Sequence, residues 1–481
     1  MATPLTLDVF ILTFNAAKRQ ISIPAFARHL YHAFGQNASD LPELVVVSLQ
    51  EMAPIAQAFI GSYVLSPYFQ RYESAVNLAA TKFASERDPQ HRPKDSPYTL
   101  VSTRNVGMTG IMLFARDSAA VEGLQAAEVG FGAGDMANKG AVGFRMCYRK
   151  ESSDNSPPAS TELTFVSAHL AAMEWNLEKR NKNWESIVSG LVFEDPKKFV
   201  EHPPTQSALQ GTDDSDVHQA LLGRDPSEKA LHDISIYKPG SHLFVAGDLN
   251  YRISKSSPAP DSKFPDFDPE SPNYFTHFLD RDQLTTEKSA GRTLHGLAEA
   301  PIKFPPTYKL VLSPKAKPGS EAEHVEDDED DMGEVEWSWA LHRWPGWCDR
   351  ILFLDLPWWT RGNTGIEKMK VTAYNAIPAV KSSDHRAVFL RLEVPVIETN
   401  DLMPPDSVYE MELSTDRGEL VDPRIKLPFP IDFQSWEHRV YVKKWESTIG
   451  WSMLISQSKQ AVMVFITVLF VGLGTWWYRS R

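Results

Sequence analysis

The chain predicts an α/β fold built around one large catalytic domain, and three observations predict it. Apolar strand-like runs alternate with amphipathic stretches from Leu7 to about Val394. No long Gly- or Ser-rich linker divides that region, and polar clusters sit at the ends of five apolar runs. LDVFILTF ends at Asn15, LVVVSLQ at Glu51, LTFVSA at His169 and HLFVA at the GDLN of Asp248 and Asn250, while Ser383, Asp384 and His385 precede AVFLRLEV. A single Asp or Asn past a strand is more often a turn residue bonded to its own backbone. Several strands delivering carboxylates, amides and imidazoles to one sheet edge describe a hydrolytic site.

Taken in order, the N-terminal run carries no basic stretch and Asp8 interrupts it, so it reads as a first strand rather than a signal peptide. Trp175, Trp184, Ile187, Val188 and Leu191 recur at helical spacing among charges, which predicts a helix over 175–191 that follows the His169 strand. Residues 194–237 and 313–336 read as polar surface loops. The second holds EHVEDDEDDMGEVE, whose like charges lack the Gly-punctuated spacing of a metal loop and read as solvated. Together these pieces make residues 1–394 the catalytic domain. Residues 395–460 shift to Pro and mixed charge, as a semi-extended linker or a small strand-rich extension docking on that domain.

From Ala461 to Tyr478 the sequence AVMVFITVLFVGLGTWWY runs 18 residues without a charge. At about 1.5 Å per residue it spans roughly 27 Å. That length suits the endoplasmic reticulum bilayer, at about 27 Å, better than the plasma membrane. Trp476, Trp477 and Tyr478 fall where an interfacial aromatic belt would, and Arg479 and Arg481 close the chain. The expectation is a C-terminal transmembrane helix, 461–478, acting as a tail anchor with the catalytic domain in the cytosol. The basic tail end leaves the mitochondrial outer membrane as the alternative, and a buried core helix is the competing structural reading.

The formal charge of −13 speaks against duplex nucleic acid as a partner, because neutralising phosphates needs clustered Lys and Arg. Cys147 and Cys348 stand in no paired spacing, which excludes a disulfide framework and points to a reducing compartment. Protein partners and oligomeric state leave no mark on the sequence. Metal-assisted phosphoryl hydrolysis needs a hard cation on the phosphate, an acceptor for the attacking water, and donors for developing charge. Glu51 assisted by Asn15 suits magnesium, which takes one or two carboxylates and keeps positions for water and phosphate. Asp248 suits the water-activating role, and Asn250, two residues on, donates to phosphate from the same face. His169 and His385 supply further donors, with Asp349 fixing the tautomer of His385. A lone histidine, by itself, is more often a satisfied structural residue.

FVAGDLNYRI (244–253) and PGWCDRILF (345–353) resemble the two signature motifs of the inositol polyphosphate 5-phosphatases. SLQEM (48–52), MANKGAVGFRM (136–146), SAHLAAMEWNLEKRN (167–181), FPPTYKL (304–310) and SSDHRAV (382–388) stand around them in matching order, across nearly all of residues 7–394. With the C-terminal run, the arrangement is similar to that of fungal tail-anchored 5-phosphatases of the endoplasmic reticulum. The resemblance implies a deoxyribonuclease I-like four-layer sandwich of two packed mixed β-sheets flanked by helices, and Mg2+-dependent hydrolysis of the 5-phosphate of phosphatidylinositol 4,5-bisphosphate. It implies Glu51 as metal ligand with Asn15 beside it and Asp384 nearby, Asp248 as base, Asn250 and His169 on the scissile phosphate, and His385 with Asp349 as orienting partner. It nominates Tyr308, Lys309 and Arg343 for the 4-phosphate, with Lys139 and Arg180 as further substrate contacts; Arg180 equally suits an ion pair within its own helix.

Two departures bear on specificity. Leu341 stands where a second basic residue is common, and Met173 where relatives often carry His, which suits lipid more than a soluble inositol phosphate. Met173, Trp175 and Leu177 then either dip into a membrane surface or pack on the sheet. The rival readings are a nuclease or a sphingomyelinase of the same superfamily, or a membrane scaffold without catalysis.

Overall fold

A computed structural model describes residues 5–87, 96–151, 157–201, 226–312, 335–361, 365–366, 368–414, 421–457 and 459–480. The first sheet contains β1 (Thr6–Asn15), β2 (Leu44–Gln50), β3 (Thr99–Val106), β4 (Thr109–Ala115), β12 (Lys370–Ala376) and β13 (Val388–Pro395), in the order β12-β13-β1-β2-β4-β3. The second contains β5 (Val121–Gly130), β6 (Gly140–Lys150), β7 (Ala159–His169), β8 (Ser241–Asp248) and β11 (Asp349–Phe353), in the order β11-β8-β7-β6-β5. A two-stranded ribbon pairs β9 (Leu310–Leu312) with β10 (Trp337–Trp339).

Both sheets are mixed, with β1–β2 parallel in one and β7–β8 parallel in the other. A parallel pair needs a crossover, supplied by helix α1 (Ile23–Gly35) in the first sheet and by a connection containing α4 (Leu177–Gly190) in the second. The strand period of two sorts side chains between layers. On β1, Val9 and Ile11 enter the core between the sheets, where Phe165 and Phe244 stack at 5.1 Å. Phe10, Leu12 and Phe14 face the other way, toward α1 and α3 (Ser66–Arg87). On the far side Trp184, Ile187 and Val188 of α4 cover β7 and β8 through Val166, Leu243 and Val245. Helices, sheet, sheet and helices therefore stack in four layers.

Several expectations change. The predicted 175–191 helix begins at Leu177, leaving Trp175 outside it and 61% exposed, whereas Leu177 is buried in the core that α4 forms with the sheet. The 194–237 stretch is partly helical, at Lys197–Glu201 and Pro226–Ile234, and 202–225 lies outside the described residues. Most of the acidic 313–336 loop lies outside them too. Among the described residues, those of 395–460 are neither a bare linker nor strand-rich. They form helices at Thr399–Leu402, Asp406–Ser414 and Ser435–Gln457, and the last docks on the domain. The expected span 461–478 falls inside the helix Lys459–Arg479. Among the described residues no helix is long and apolar enough to cross a membrane, and the side chains of 461, 462, 464 and 465 are not among them.

Candidate active site

The two parallel pairs determine where the polar residues meet. Parallel strands end at the same sheet edge, so Asn15 and Glu51 emerge together from β1 and β2, and His169 and Asp248 from β7 and β8, where they are register partners. β11 runs antiparallel to β8 and starts at that edge, which sets Asp349 opposite Asp248. The turn before β13 brings in His385, tied down by Ser383, whose hydroxyl donates to the Asn15 carbonyl at 2.5 Å and accepts the His385 N–H at 3.0 Å.

Asp248 is the centre. Its Oδ2 accepts from the Asn15 amide at 2.9 Å and lies 3.3 Å from His169 Nε2, and its Oδ1 accepts the Asn250 N–H at 3.1 Å. Burial pushes this carboxyl up, but the His169 hydrogen bond and the charges of His385, His169 and Lys139 outweigh it and hold it well below the usual carboxylate range. His169 is shifted down, chiefly by burial and then by Lys139. His385 behaves oppositely. Its Nδ1 meets Asp349 Oδ2 at 2.9 Å, and although burial disfavours the imidazolium, the carboxylates around it raise it to about 9. Thr307 donates to the same Asp349 oxygen at 2.7 Å, and the other oxygen of Asp349 is buried with no hydrogen-bond partner.

Glu51 and Asn250 both hold left-handed backbone, φ 45° and 57°. Asn tolerates that region, but Glu rarely enters it, so Glu51 is held there by its surroundings. Its carbonyl accepts the Lys18 N–H at 2.6 Å, and the next N–H, of Met52, donates to Met108 at 3.2 Å. The Glu51 carboxylate stands 3.0 Å from Lys18 and 3.9 Å from Lys139, whose ammonium also contacts His169. Burial pushes Glu51 up, yet His169, Lys139 and Lys18 bring it below its ordinary value.

The geometry revises several assignments. Asn15 uses its amide on Asp248 and its carboxamide oxygen on the Ala17 N–H at 3.0 Å, so its visible role is to orient Asp248. Arg180 is no surface contact for substrate. It is 0% exposed, donates to the carbonyls of Ala171 at 3.2 Å and Met173 at 2.7 Å and to Gln283 at 2.9 Å, and pairs with no acid of its own helix. Arg343 forms an ion pair with Glu174 at 2.9 Å, and Lys309 with Asp384. Asp384 is thereby occupied by a cation from the chain. Tyr308 lies on the His385 ring at 4.5 Å, with the Arg252 guanidinium 4.4 Å from its own ring. Asp248, Asp349 and His385 also bring donor atoms within 4.8 Å of one another. The raised His385 bonded to Asp349 sets positive charge beside these atoms.

Arg252 and Thr307 were not singled out from the sequence, and Ser383 was named only as a member of its cluster, without a role. Arg252 donates to the Asn250 side chain and holds Tyr308, Thr307 holds Asp349, and Ser383 joins the two halves of the edge. Each sits inside a motif quoted above, and that adjacency was the available signal. A groove of about 620 Å³ between α4 and residues 421–429, lined by Glu178, Arg292, His295 and Phe429, touches none of the site residues.

A four-layer sandwich with a carboxylate and imidazole edge defines a class of hydrolytic proteins, and the chain belongs to Endonuclease/Exonuclease/phosphatase family 2, whose model matches residues 12–391. Within that class it is similar to the Saccharomyces cerevisiae polyphosphatidylinositol phosphatase INP53, 26% identical over 75% of this chain and 24% of the relative. It is also similar to the Mus musculus type II inositol 1,4,5-trisphosphate 5-phosphatase, 26% identical over 68% of this chain and 25% of that one. The chain thus spans about a quarter of the length of these relatives. Its fold matches the solved inositol polyphosphate 5-phosphatase domain of SPsynaptojanin, with TM-score 0.50, 19% identity, and coverage of 85% of this chain and 93% of that one.

Proposed function

We propose that the chain is a phosphoinositide 5-phosphatase that hydrolyses the 5-phosphate of phosphatidylinositol 4,5-bisphosphate to the 4-phosphate lipid, with Mg2+, at a cytosolic membrane face. The observation that carries the reading is the meeting at one edge of Asp248, Asp349 and His385, with donor atoms within 4.8 Å of one another and His169 3.3 Å from Asp248. Its substrate class follows the names of the relatives and the motifs shared with them.

Asp248, ionised and fixed by Asn15, His169 and Asn250, accepts a hydrogen bond from the attacking water and orients it. Its depressed basicity makes positioning a larger part of its role than proton affinity. His385 has its Nδ1 side on Asp349, which leaves its Nε2 side to donate to a phosphoryl oxygen as charge develops. Asn250 and Lys139 add donors beside it. Glu51 fits a hard divalent cation, being an ionised carboxylate only partly covered and faced by two lysines whose charge stands in for one. When bound, such a cation neutralises phosphate charge; Glu51 would hold it.

Membrane attachment is supported by an inverted helix. Ser435–Gln457 turns Arg439, Val442, Glu446 and Gly450 inward and leaves Val440, Tyr441, Trp445, Trp451 and Ile455 exposed. Trp and Tyr beside Lys444 on an outer face suit a bilayer interface. The Lys459–Arg479 helix follows, with Phe470, Leu473, Trp476 and Trp477 exposed. The reticulum remains our reading of its destination, from span length alone. The test is Mg2+-dependent phosphate release by the full chain on vesicles carrying phosphatidylinositol 4,5-bisphosphate, with the product isomer identified. The 4-phosphate lipid is expected; the 5-phosphate isomer, or no release by folded protein, would overturn the reading.

A further inference from the structure

The helix Ser435–Gln457 reaches the active site from behind. Glu446, 2% exposed, takes the Arg439 guanidinium on both oxygens, at 2.9 and 2.7 Å, and its Oε1 also accepts the Ala137 N–H at 2.6 Å. Arg439 continues to Glu128 of β5 at 3.0 Å. Ala137 belongs to the turn between β5 and β6, two residues before Lys139, and that turn has no slack. A Cβ on Gly107 would come within 1.7 Å of the Ala137 carbonyl oxygen, and one on Gly130 within 2.5 Å of the Asp135 carbonyl oxygen. Along the same helix Gly450 sits on α2 (Ile55–Ile60), where an added Cβ would meet the Ala56 carbonyl oxygen at 2.7 Å. That helix begins four residues after Glu51. The docked helix therefore braces both segments that carry the Glu51–Lys139 pair.

We infer that Glu446 is a positioning residue for the site: by fixing the Ala137 N–H it sets where the Lys139 ammonium stands against Glu51 and His169, so that docking of the C-terminal helix controls turnover. The inference rests on the proposed phosphatase activity for its kinetic arm alone.

The experiment compares Glu446→Gln with parent in the full chain, in detergent micelles and on a soluble inositol polyphosphate, so that vesicle binding does not enter. Glu446→Gln should lower kcat about tenfold with KM nearly unchanged, since small misplacements of a site group cost one to two decades. In a Lys139→Met background the same change should cost less than about twofold, because the two act as one unit. Lys443→Ala, which removes only the exposed contact to Glu128 on this helix, serves as control and should stay within about twofold of parent. Amide exchange of Ala137 should accelerate in Glu446→Gln, with circular dichroism unchanged. An undiminished kcat, an equal loss in the Lys139→Met background, or an Ala137 amide as protected as in parent would overturn the inference. If the parent itself releases no phosphate, the activity reading fails and the exchange measurement still decides the contact.

Discussion

Asp349 has one oxygen shared by Thr307 and His385 and the other without a hydrogen-bond partner, so its charge is directed at a single imidazole. That concentration raises His385 from 6.5 to about 9. A folded-state pKa above the unfolded one contributes stability fully present below pH 6.5 and lost as pH rises through about 9. The thermal midpoint of the parent should therefore fall more steeply between those pH values than that of His385→Asn, in parallel melts. Catalysis carries the same signature. Asp349→Asn should move the alkaline limb of the kcat profile down from about 9 toward 6.5, and an unmoved limb would remove the imidazolium from the mechanism. Asp248→Asn should lower kcat by about 10²–10⁴-fold with the fold intact, read as phosphate release beside circular dichroism. Arg343→Ala tests specificity: its pairing with Glu174 means a 4-phosphate must compete for it, and loss on the 4,5-bisphosphate should exceed loss on a substrate lacking the 4-phosphate. The nominees Asp248, Asn250, His169, Asp349 and His385 were legible because each closes or opens an apolar run. Arg180 was nominated through the resemblance, with an ion pair in its own helix as the alternative, and only packing shows its guanidinium turned onto the carbonyls of Ala171 and Met173.

Elements position these residues through close strand approach. Gly247 precedes Asp248 on β8, and an added Cβ would lie 1.9 Å from the Ala168 carbonyl oxygen on β7. Gly247→Ala should destabilise the protein by about 1–3 kcal/mol in urea titration and lower activity further, by separating His169 from Asp248. Strand existence was readable from runs such as LVVVSLQ; their pairing order was not, because β1 is flanked by β2 and by β13, hundreds of residues away. The helix Ser435–Gln457 was misread for a different reason. Its buried face carries Arg439, Glu446 and Gly450 beside Val442, while Tyr441, Trp445 and Trp451 face outward, which blurs the pattern that marks a helix packed on a domain. Prolines at 404, 405, 423, 428 and 430 suggested extension, yet none lies within 435–457.

At the scale of the molecule, the proposed action on an anionic lipid surface calls for a tether in a chain of charge −13, since its average field opposes approach. A chain ending at residue 457 should keep its turnover of a soluble inositol polyphosphate and lose most activity on vesicles, because tethering raises effective concentration without touching the site. Equal losses on both substrates would assign the last helix to folding instead. The sequence by itself determined the strand-forming runs, the identity of the groups at their ends and the charge-free C-terminal stretch, since these depend on local composition and spacing. Tertiary structure alone decided which ends meet, which cations are already paired, and that residues 435–457 dock behind Lys139. Those outcomes depend on contacts such as Asn15 with Asp248 and Ala137 with Glu446, which span 233 and 309 residues and leave no periodic trace in the chain.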